Sequence, residues 1–180
     1  MKWVGLAAGA IALLLVVMAV VGAMLPRGHV ASRTAIFKRP AAELYALIAD
    51  VQRAPEWRTG VKRVDVQPPA EGGRARYVEV SSQGPIAMEV VESVPGQRLV
   101  TRIADESLPF GGGWTFELQP AGAGTRLTIT ERGEVKNVLF RFMSRFIFGH
   151  TATMDQFLRD AGRRFGEDVQ PGPAPAAPPG

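Results

Sequence analysis

The chain begins with a long apolar segment that has no charged residue from position 3 to position 25. About 20 helical residues cross the hydrocarbon core of a bilayer, so residues 3–25 are long enough to span it. Pro26 and Arg27 end the segment with a helix breaker and a charge. The pattern therefore predicts a transmembrane anchor over residues 1–25, through which the protein contacts the membrane.

A cleaved signal peptide is the alternative, because Val21-Gly22-Ala23 resembles a small-residue cleavage site. The apolar run is longer than the core of an ordinary signal peptide, which favours an uncleaved anchor.

Basic residues are more numerous after the segment than before it, which places the rest of the chain in the cytoplasm. An exported domain is the alternative. The basic residues on which this orientation rests are Lys2 before the segment and Arg27, Arg33, Lys38 and Arg39 after it.

Beyond a linker at residues 26–30, strand-like and helix-like patterns alternate. Branched and aromatic residues predict a first strand over 31–38, and apolar positions at helical spacing predict a helix over 41–51. Six short strands follow, separated by turns rich in Gly and Pro, which predicts an antiparallel meander. The predicted strands are 61–66, 75–81, 86–91, 98–103, 114–118 and 125–131.

Alternation within these strands predicts a sheet with one apolar and one polar face. Trp114, Phe116 and Leu118 share one side of their strand, while the intervening residues are polar. An apolar stripe at helical spacing predicts a single C-terminal helix over residues 136–165 that covers the apolar face. The stripe consists of Leu139, Met143, Phe146, His150, Met154, Phe157, Ala161 and Phe165.

Two segments rich in Gly or Pro are predicted to lack regular structure. Gly111-Gly112-Gly113 predicts a flexible hairpin loop, and it lacks the Lys-Ser or Lys-Thr ending of a phosphate loop. Residues 169–180 are predicted to form a disordered Pro-rich tail, because proline fixes φ and removes backbone donors. The folded domain is therefore expected to span residues 31–168.

Composition excludes several kinds of site. The chain has no cysteine, which excludes disulfides, thiol nucleophiles, zinc–thiolate sites and iron–sulfur sites. With only His29 and His150 as histidines, no metal site and no cofactor are predicted. The net charge of +4 comes from 21 basic and 17 acidic residues that are scattered along the chain. A nucleic-acid partner is therefore not expected, because such binders carry a basic stripe with interleaved aromatics. The oligomeric state does not follow from these patterns.

Two stretches resemble a known superfamily. The first is residues 36–50, a strand and a helix ending in Asp50, followed by Pro55-Glu56-Trp57. The second is residues 114–120 with 124–131, a hairpin whose turn contains Gly-Thr. In order and spacing these stretches resemble the START/polyketide-cyclase-like superfamily (SRPBCC).

The resemblance covers about residues 31–167 and implies an α+β helix-grip fold. In that fold a curved antiparallel sheet surrounds a long C-terminal helix and an apolar cavity; here one transmembrane helix would precede it. Members bind lipids, sterols, polyketides, plant hormones and other hydrophobic molecules, and some are cyclases or dehydratases. They share no catalytic motif, so the resemblance assigns no catalytic residue in this chain.

The side chains expected to line the cavity are the large apolar ones on the inner face and one histidine. They are Tyr77, Met88, Trp114, Phe116, Phe146, His150 and Met154. His150 either donates to a ligand carbonyl or moves a proton, or is a packed histidine bonded to backbone. Glu79 and Glu131 fall by alternation on the same face as Tyr77 and Ile129. If that face is the inner one, they are general-acid candidates; the alternative is strand-end carboxylates near water. His29 is expected to be solvated in the linker.

The function predicted from these observations is a membrane-anchored binding protein for a hydrophobic small molecule or lipid. One alternative is a cyclase- or dehydratase-like enzyme on an apolar substrate, with His150 or an inward Glu as acid or base. A second alternative is an interaction module with a filled core that recruits a partner through its surface and Pro-rich tail.

Overall fold

Alternating apolar and polar residues, joined by turns that contain Gly or Pro, fold into one antiparallel sheet of eight strands. The structure is a computed structural model that describes residues 2–82, 84–148 and 151–175. The strands are β1 (Gly28–Phe37), β2 (Val61–Gln67), β3 (Arg76–Ser81), β4 (Gly84–Val94), β5 (Arg98–Ile103), β6 (Phe110–Ala121), β7 (Gly124–Val135) and β8 (Gly172–Pro173). The helices are α1 (Lys2–Met24), α2 (Ala41–Ala49), α3 (Val138–Met143) and α4 (Ala152–Arg164), with 3-10 turns at Val51–Glu56 and Glu71–Gly73 and a π-helical turn at Ser144–Phe148.

Strands β2 to β7 follow one another across the sheet in chain order, which confirms the predicted meander. Strand β1 instead pairs with β7 at the far side, from Gly28 opposite Glu134 to Phe37 opposite Thr125. The register shifts once in β2 and once in β4, and such bulges bend a sheet. The result is a curved sheet with C-terminal helices, the predicted α+β helix-grip class.

The core lies between α4, α2 and the inner face of the sheet, the face that carries Leu127 and Ile129. On α4, Met154, Leu158 and Ala161 recur at helical spacing and are fully buried against this face. Burial of these side chains is the main favourable contribution to the stability of the domain.

Two carboxylates on α4 fix its position on the sheet. Asp155, in the first turn, accepts a hydrogen bond from Nε of Arg33 at 2.5 Å. Asp160 is buried, and it accepts from the backbone N–H of Thr59 at 2.6 Å and from the Thr59 hydroxyl at 3.1 Å. Because apolar contact is non-directional, these polar contacts set the position of α4 along the sheet.

The single C-terminal helix predicted over 136–165 is wrong. The structure divides it into α3, the π-helical turn and α4, with Gly149 and His150 outside the described residues. The reason is that α3 packs against α1 and not against the sheet core. A Cβ on Gly22 of α1 would collide with the carbonyl oxygen of Val138 in α3. The apolar stripe therefore packs on two different elements. Its first part, in α3, packs against α1, and its second part, in α4, packs against the inner face of the sheet.

Helix α1 is the one described helix that is long and apolar enough to cross a membrane. An 18-residue window within its apolar part, Trp3–Met24, has a mean hydropathy of 2.8, a value shared by membrane spans and signal sequences.

The predicted loop at residues 111–113 is also wrong, because these glycines lie within β6 and pair with β7. A Cβ on Gly112 would collide with the carbonyl oxygen of Arg132, and one on Gly113 with that of Thr101. Gly112 and Gly113 are required by the close approach of neighbouring strands, and Gly112 also adopts a φ of 129° that favours glycine.

Both predicted domain boundaries differ from the structure. Strand β1 begins at Gly28, inside the predicted linker at 26–30, because the backbone N–H of Val135 reaches the carbonyl of Arg27 at 2.8 Å. At the other end, Val169 is buried in the core and β8 pairs with β1, inside the predicted disordered tail at 169–180. Gly166 (φ 71°) reverses the chain after α4, so Val169 packs against Gly162.

Truncation of Val169 tests this extended boundary. We expect Val169→Ala to lower the free energy of unfolding by about 2 kcal/mol, because it removes two buried methyl groups and leaves a cavity. Urea unfolding followed by circular dichroism measures the change. Gln170→Ala, at an exposed neighbouring position, is the control and should have an effect below about 0.5 kcal/mol. Equal effects of the two substitutions would place the boundary back at residue 168.

The outer face of the sheet carries one buried carboxylate between two arginines. Glu89 on β4 accepts a hydrogen bond from Nη2 of Arg102 at 3.0 Å and forms an ion pair with Arg74. The hydrogen bond from Arg102 is the largest cause of the lowered pKa of Glu89; burial opposes it, and the charges of both arginines add to it. The lowered pKa means that the folded state favours the ionised carboxylate.

This lowered pKa predicts a pH dependence of stability. The contribution of Glu89 is fully present above the unfolded pKa and is lost as pH falls through the lower folded pKa. We expect Glu89→Gln to reduce the loss of unfolding free energy between about pH 5 and pH 3. Urea titrations at several pH values measure it, with exposed Glu134→Gln as the control. An unchanged pH dependence in Glu89→Gln would contradict the assignment.

Candidate functional site

The strand registers bring large side chains from different strands into adjacent rows on the inner face. Tyr77 of β3 lies directly opposite Met88 of β4, and both are buried. Trp114 of β6 lies opposite Glu131 of β7, with Phe116 two residues further along the same face. Four of the residues predicted to line a cavity are therefore on one surface.

A polar cluster interrupts this surface next to Trp114. Nε2 of His29 lies 3.0 Å from Oε1 of Glu131, and the indole N–H of Trp114 donates to Oε2 of Glu131 at 2.9 Å. Because an ionised carboxylate only accepts, the imidazole is the donor in the first contact. The side chains of His29 and Glu131 are 18% and 15% exposed. We call His29, Glu131 and Trp114 the inner polar cluster.

The pairing of β1 with β7 creates the cluster. His29 lies opposite Gly133, and Ala31 lies opposite Glu131. A Cβ on Gly133 would overlap the imidazole ring, so the missing side chain provides the space in which His29 reaches Glu131. The prediction that His29 is solvated in a linker is therefore wrong. Glu131 does lie on the inner face, as its alternation indicates.

A second carboxylate on the inner face is paired with an arginine. Glu79 accepts two hydrogen bonds from Arg58, at 2.5 and 3.2 Å. The same guanidinium lies 5.2 Å from the ring centroid of Phe157. Burial is the main cause of the raised pKa of nearby Tyr77; the charge of Glu79 adds to it and that of Arg58 opposes it. Tyr77 is therefore a neutral phenol, and Glu79 is part of a bidentate ion pair.

The remaining predicted residues are divided between the core and the surface. Phe116 and Met154 belong to the core beneath α4, and the Phe116 ring lies 5.2 Å from that of Phe157. Phe146 is 59% exposed in the π-helical turn, so its prediction as a lining residue is wrong. The division of the C-terminal helix is the physical reason. His150 lies outside the described residues.

Two surface depressions lie near the C-terminal segment. One of about 420 Å³ is lined by residues of α4 and 166–169, and the other, of about 610 Å³, by residues of β1 and 168–175. Neither is lined by a residue of the inner polar cluster or by any predicted lining residue. Within residues 2–82, 84–148 and 151–175, no three His, Cys, Asp or Glu side chains come together as metal ligands.

Comparisons with solved structures agree with this fold. A START superfamily protein from Mycobacterium smegmatis has a TM-score of 0.58 and 16% identity, over 76% of this chain and 96% of that one. Norcoclaurine synthase from Thalictrum flavum has a TM-score of 0.60 and 9% identity, over 77% and 86% of the two chains. The di-domain ARO/CYC StfQ from the steffimycin biosynthetic pathway has a TM-score of 0.57 and 16% identity over 73% of this chain. The match spans only half of StfQ, 50% of its length.

At these low sequence identities, the similarity to the three solved structures shows a shared fold only. Among curated proteins, none matches this sequence significantly. The family model described as "Polyketide cyclase / dehydrase and lipid transport" matches residues 28–165. That range begins with β1 and ends just after α4, so it contains the whole meander and the inner polar cluster. The chain therefore belongs to the polyketide cyclase / dehydrase and lipid transport family.

Proposed function

We propose that this protein binds a hydrophobic small molecule or lipid beside a membrane. The apolar part of the ligand lies against the inner face of the sheet, and its polar group lies at the inner polar cluster. The observation that carries this proposal is the cluster itself, a carboxylate, an imidazole and an indole held together among apolar side chains. The family description, which names lipid transport, supports the same class of ligand.

The two parts of the surface have different roles in binding. Burial of apolar area contributes roughly 25 cal/mol per Å² before the losses of association, but it does not orient a ligand. A small number of polar groups in an apolar site fixes orientation and provides specificity. The half of the inner face beneath α4 is filled by Met154 and by the contact of Phe116 with Phe157. We therefore place the ligand beside Met88 and Trp114.

Contacts between α1 and the domain support an uncleaved anchor. Gly22 is buried against α3, and Arg141 donates to the carbonyl of Leu25 at 3.1 Å. Cleavage after Ala23 would remove the helix that fills this contact. His29 follows Met24 by five residues, so the two Cα atoms are at most about 18 Å apart. The inner polar cluster therefore lies near the end of the anchor, where hydrophobic ligands partition.

The same proposal places the domain on the cytoplasmic side. Arg33 and Arg39 pair with Asp155 and Glu167, so they serve the fold. Arg27 and Lys38 are exposed after the span, whereas Lys2 is the one basic side chain before it. The larger number of free basic residues after the span favours the cytoplasmic side for the domain.

Substitution of Glu131 tests the binding site. We expect Glu131→Gln to lower affinity for any hydrophobic ligand that the parent protein retains about tenfold, because it replaces the carboxylate of the inner polar cluster while keeping the size of the side chain. Native mass spectrometry of the full chain in lipid nanodiscs, followed by organic extraction, measures the bound fraction.

Glu134→Gln is the matched control, because Glu134 is an exposed carboxylate on the same strand. A reproducible adduct in the parent and Glu134→Gln, reduced in Glu131→Gln, supports the proposal. Absence of any adduct from the parent, together with no thermal shift across a panel of lipids, would reject it in favour of a filled core.

A second candidate function is a cyclase or dehydratase acting on an apolar substrate. The observation that favours it is the 3.0 Å contact of His29 with Glu131, because a carboxylate that orients an imidazole is a recurring arrangement for general-base chemistry. In this hypothesis His29 takes the role for which the sequence suggested His150 or an inward Glu.

Replacement of His29 separates the two candidates. If the protein is an enzyme, His29→Gln should lower kcat on a linear polyketide thioester by a factor of about 100 or more, with KM little changed. Product analysis by liquid chromatography and mass spectrometry measures turnover, and exposed Gln170→Ala serves as the control. Equal turnover by the parent and His29→Gln would exclude this enzyme hypothesis.

A further inference from the structure

Residues 136–148 combine positive charge with aromatic side chains. The segment has the sequence KNVLFRFMSRFIF, with three basic residues, four phenylalanines and no acidic residue. It forms α3 and the π-helical turn without interruption. We call it the 136–148 segment. Basic and aromatic residues together are typical of helices that lie in the lipid–water interface.

One side of the 136–148 segment is attached to the last turn of α1. Arg141 is 7% exposed and donates to the carbonyl of Leu25 at 3.1 Å and to that of Lys136 at 3.1 Å. The guanidinium thereby satisfies a carbonyl just beyond the C-terminal end of α1, where the helix dipole favours a cation. Gly22 lies against the backbone of Val138. The contact therefore fixes the segment at the end of the apolar helix.

The other side of the 136–148 segment presents aromatic rings and a cation to solvent. Phe140 is 40% exposed and Phe146 is 59% exposed, and Arg145 between them is exposed as well. Phe140 also stacks on Phe110, at a centroid distance of 6.2 Å, which connects the segment to the start of β6. Exposed apolar groups of this size next to a membrane helix mark an interaction surface.

We propose that the 136–148 segment lies in the interface of the bilayer that α1 enters. Phe140 and Phe146 insert among the upper parts of the acyl chains, and Arg145 and Lys136 contact anionic headgroups. The contact with Gly22 holds the segment at this depth. The inference rests on the proposed anchoring of α1, because a segment bound to the last turn of a span lies at the level of the headgroups. Electrostatic attraction to anionic lipid has the right sign for its two exposed basic residues, Lys136 and Arg145.

The absence of cysteine from the chain allows a direct test with single-cysteine variants. Spin labels are attached at Phe140→Cys, Phe146→Cys, Leu13→Cys and Ile36→Cys in the full chain, reconstituted into vesicles of phosphatidylcholine and phosphatidylglycerol. Leu13 reports on α1, and Ile36, which is 54% exposed on β1, is the water-exposed control. Collision with oxygen, which concentrates in lipid, is compared with collision with a water-soluble nickel chelate.

We expect oxygen collision to dominate at positions 13, 140 and 146 and the nickel chelate to dominate at position 36. Nickel accessibility at 140 and 146 equal to that at 36, with position 13 in lipid, would overturn the inference and leave the anchor intact. A water-accessible label at position 13 would overturn the proposed anchoring and this inference with it. Water exposure with spin–spin broadening at 146 would identify a second copy of the chain as the occupant and also overturn the inference. Because Phe146 has little buried area, its variant should fold even if Phe140→Cys does not.

Gly22→Leu tests whether α1 positions the segment. The added side chain would collide with Val138, so we expect the label at 146 to lose oxygen accessibility relative to the parent. Gly9→Leu is the matched control, because nothing lies within 4 Å of a Cβ at Gly9. The thermal unfolding curve of Gly22→Leu verifies that the contact between α1 and α3 is lost. If the label at position 146 then keeps its depth in the bilayer, the positioning role of α1 is overturned.

Discussion

The packing of α4 on one half of the inner face is the contact on which the arrangement of the domain depends. Its buried residues, Met154, Leu158 and Ala161, cover the half that carries Leu127 and Ile129. The bonds of Asp155 with Arg33 and of Asp160 with Thr59 determine which half is covered. Asp160 also accepts hydrogen bonds from Gln156 and Arg163 on its own helix, so its buried side chain is fully used by these contacts and by Thr59.

This position of α4 has consequences for the other half of the inner face, which α4 does not reach. Because α3 packs on α1, it does not cover the part of the inner face that carries Met88, Trp114 and Glu131. Met88 and Glu131 do not belong to the core cluster beneath α4, and Trp114 packs only against its edge. Glycines at 112, 113 and 133 keep the strands close here and leave space for the ring of His29. The small residues therefore shape the candidate site as much as the large ones do.

The sequence predicted the parts of the fold that depend on local pattern. Period-two alternation identified the inner face at Trp114, Phe116 and Glu131, and turn residues separated the strands in the correct order. The position of His29 was missed because its partner Glu131 is 102 residues away, and no local signal reports that β1 pairs with β7. The exposure of Phe146 was missed because a helical stripe does not show which neighbour it packs on. The burial of Val169 was missed because the Pro-rich composition of residues 169–180 predicted disorder for the whole segment. Composition does not show that one apolar residue in it packs against Gly162.

The proposed ligand site gives the inner polar cluster an energetic rationale. A carboxylate and an imidazole that are mostly removed from water lose hydration free energy, and their mutual contact and the bond from Trp114 offset part of this loss. Apolar residues of similar volume at positions 29 and 131 would stabilise a core whose only role is structural, and replacement of such polar groups is often neutral or stabilising. A polar group on an apolar inner face is favourable when a ligand uses it, because it orients the ligand and rejects molecules that cannot hydrogen-bond there. We therefore expect the cluster to contribute to ligand selectivity at some expense of domain stability.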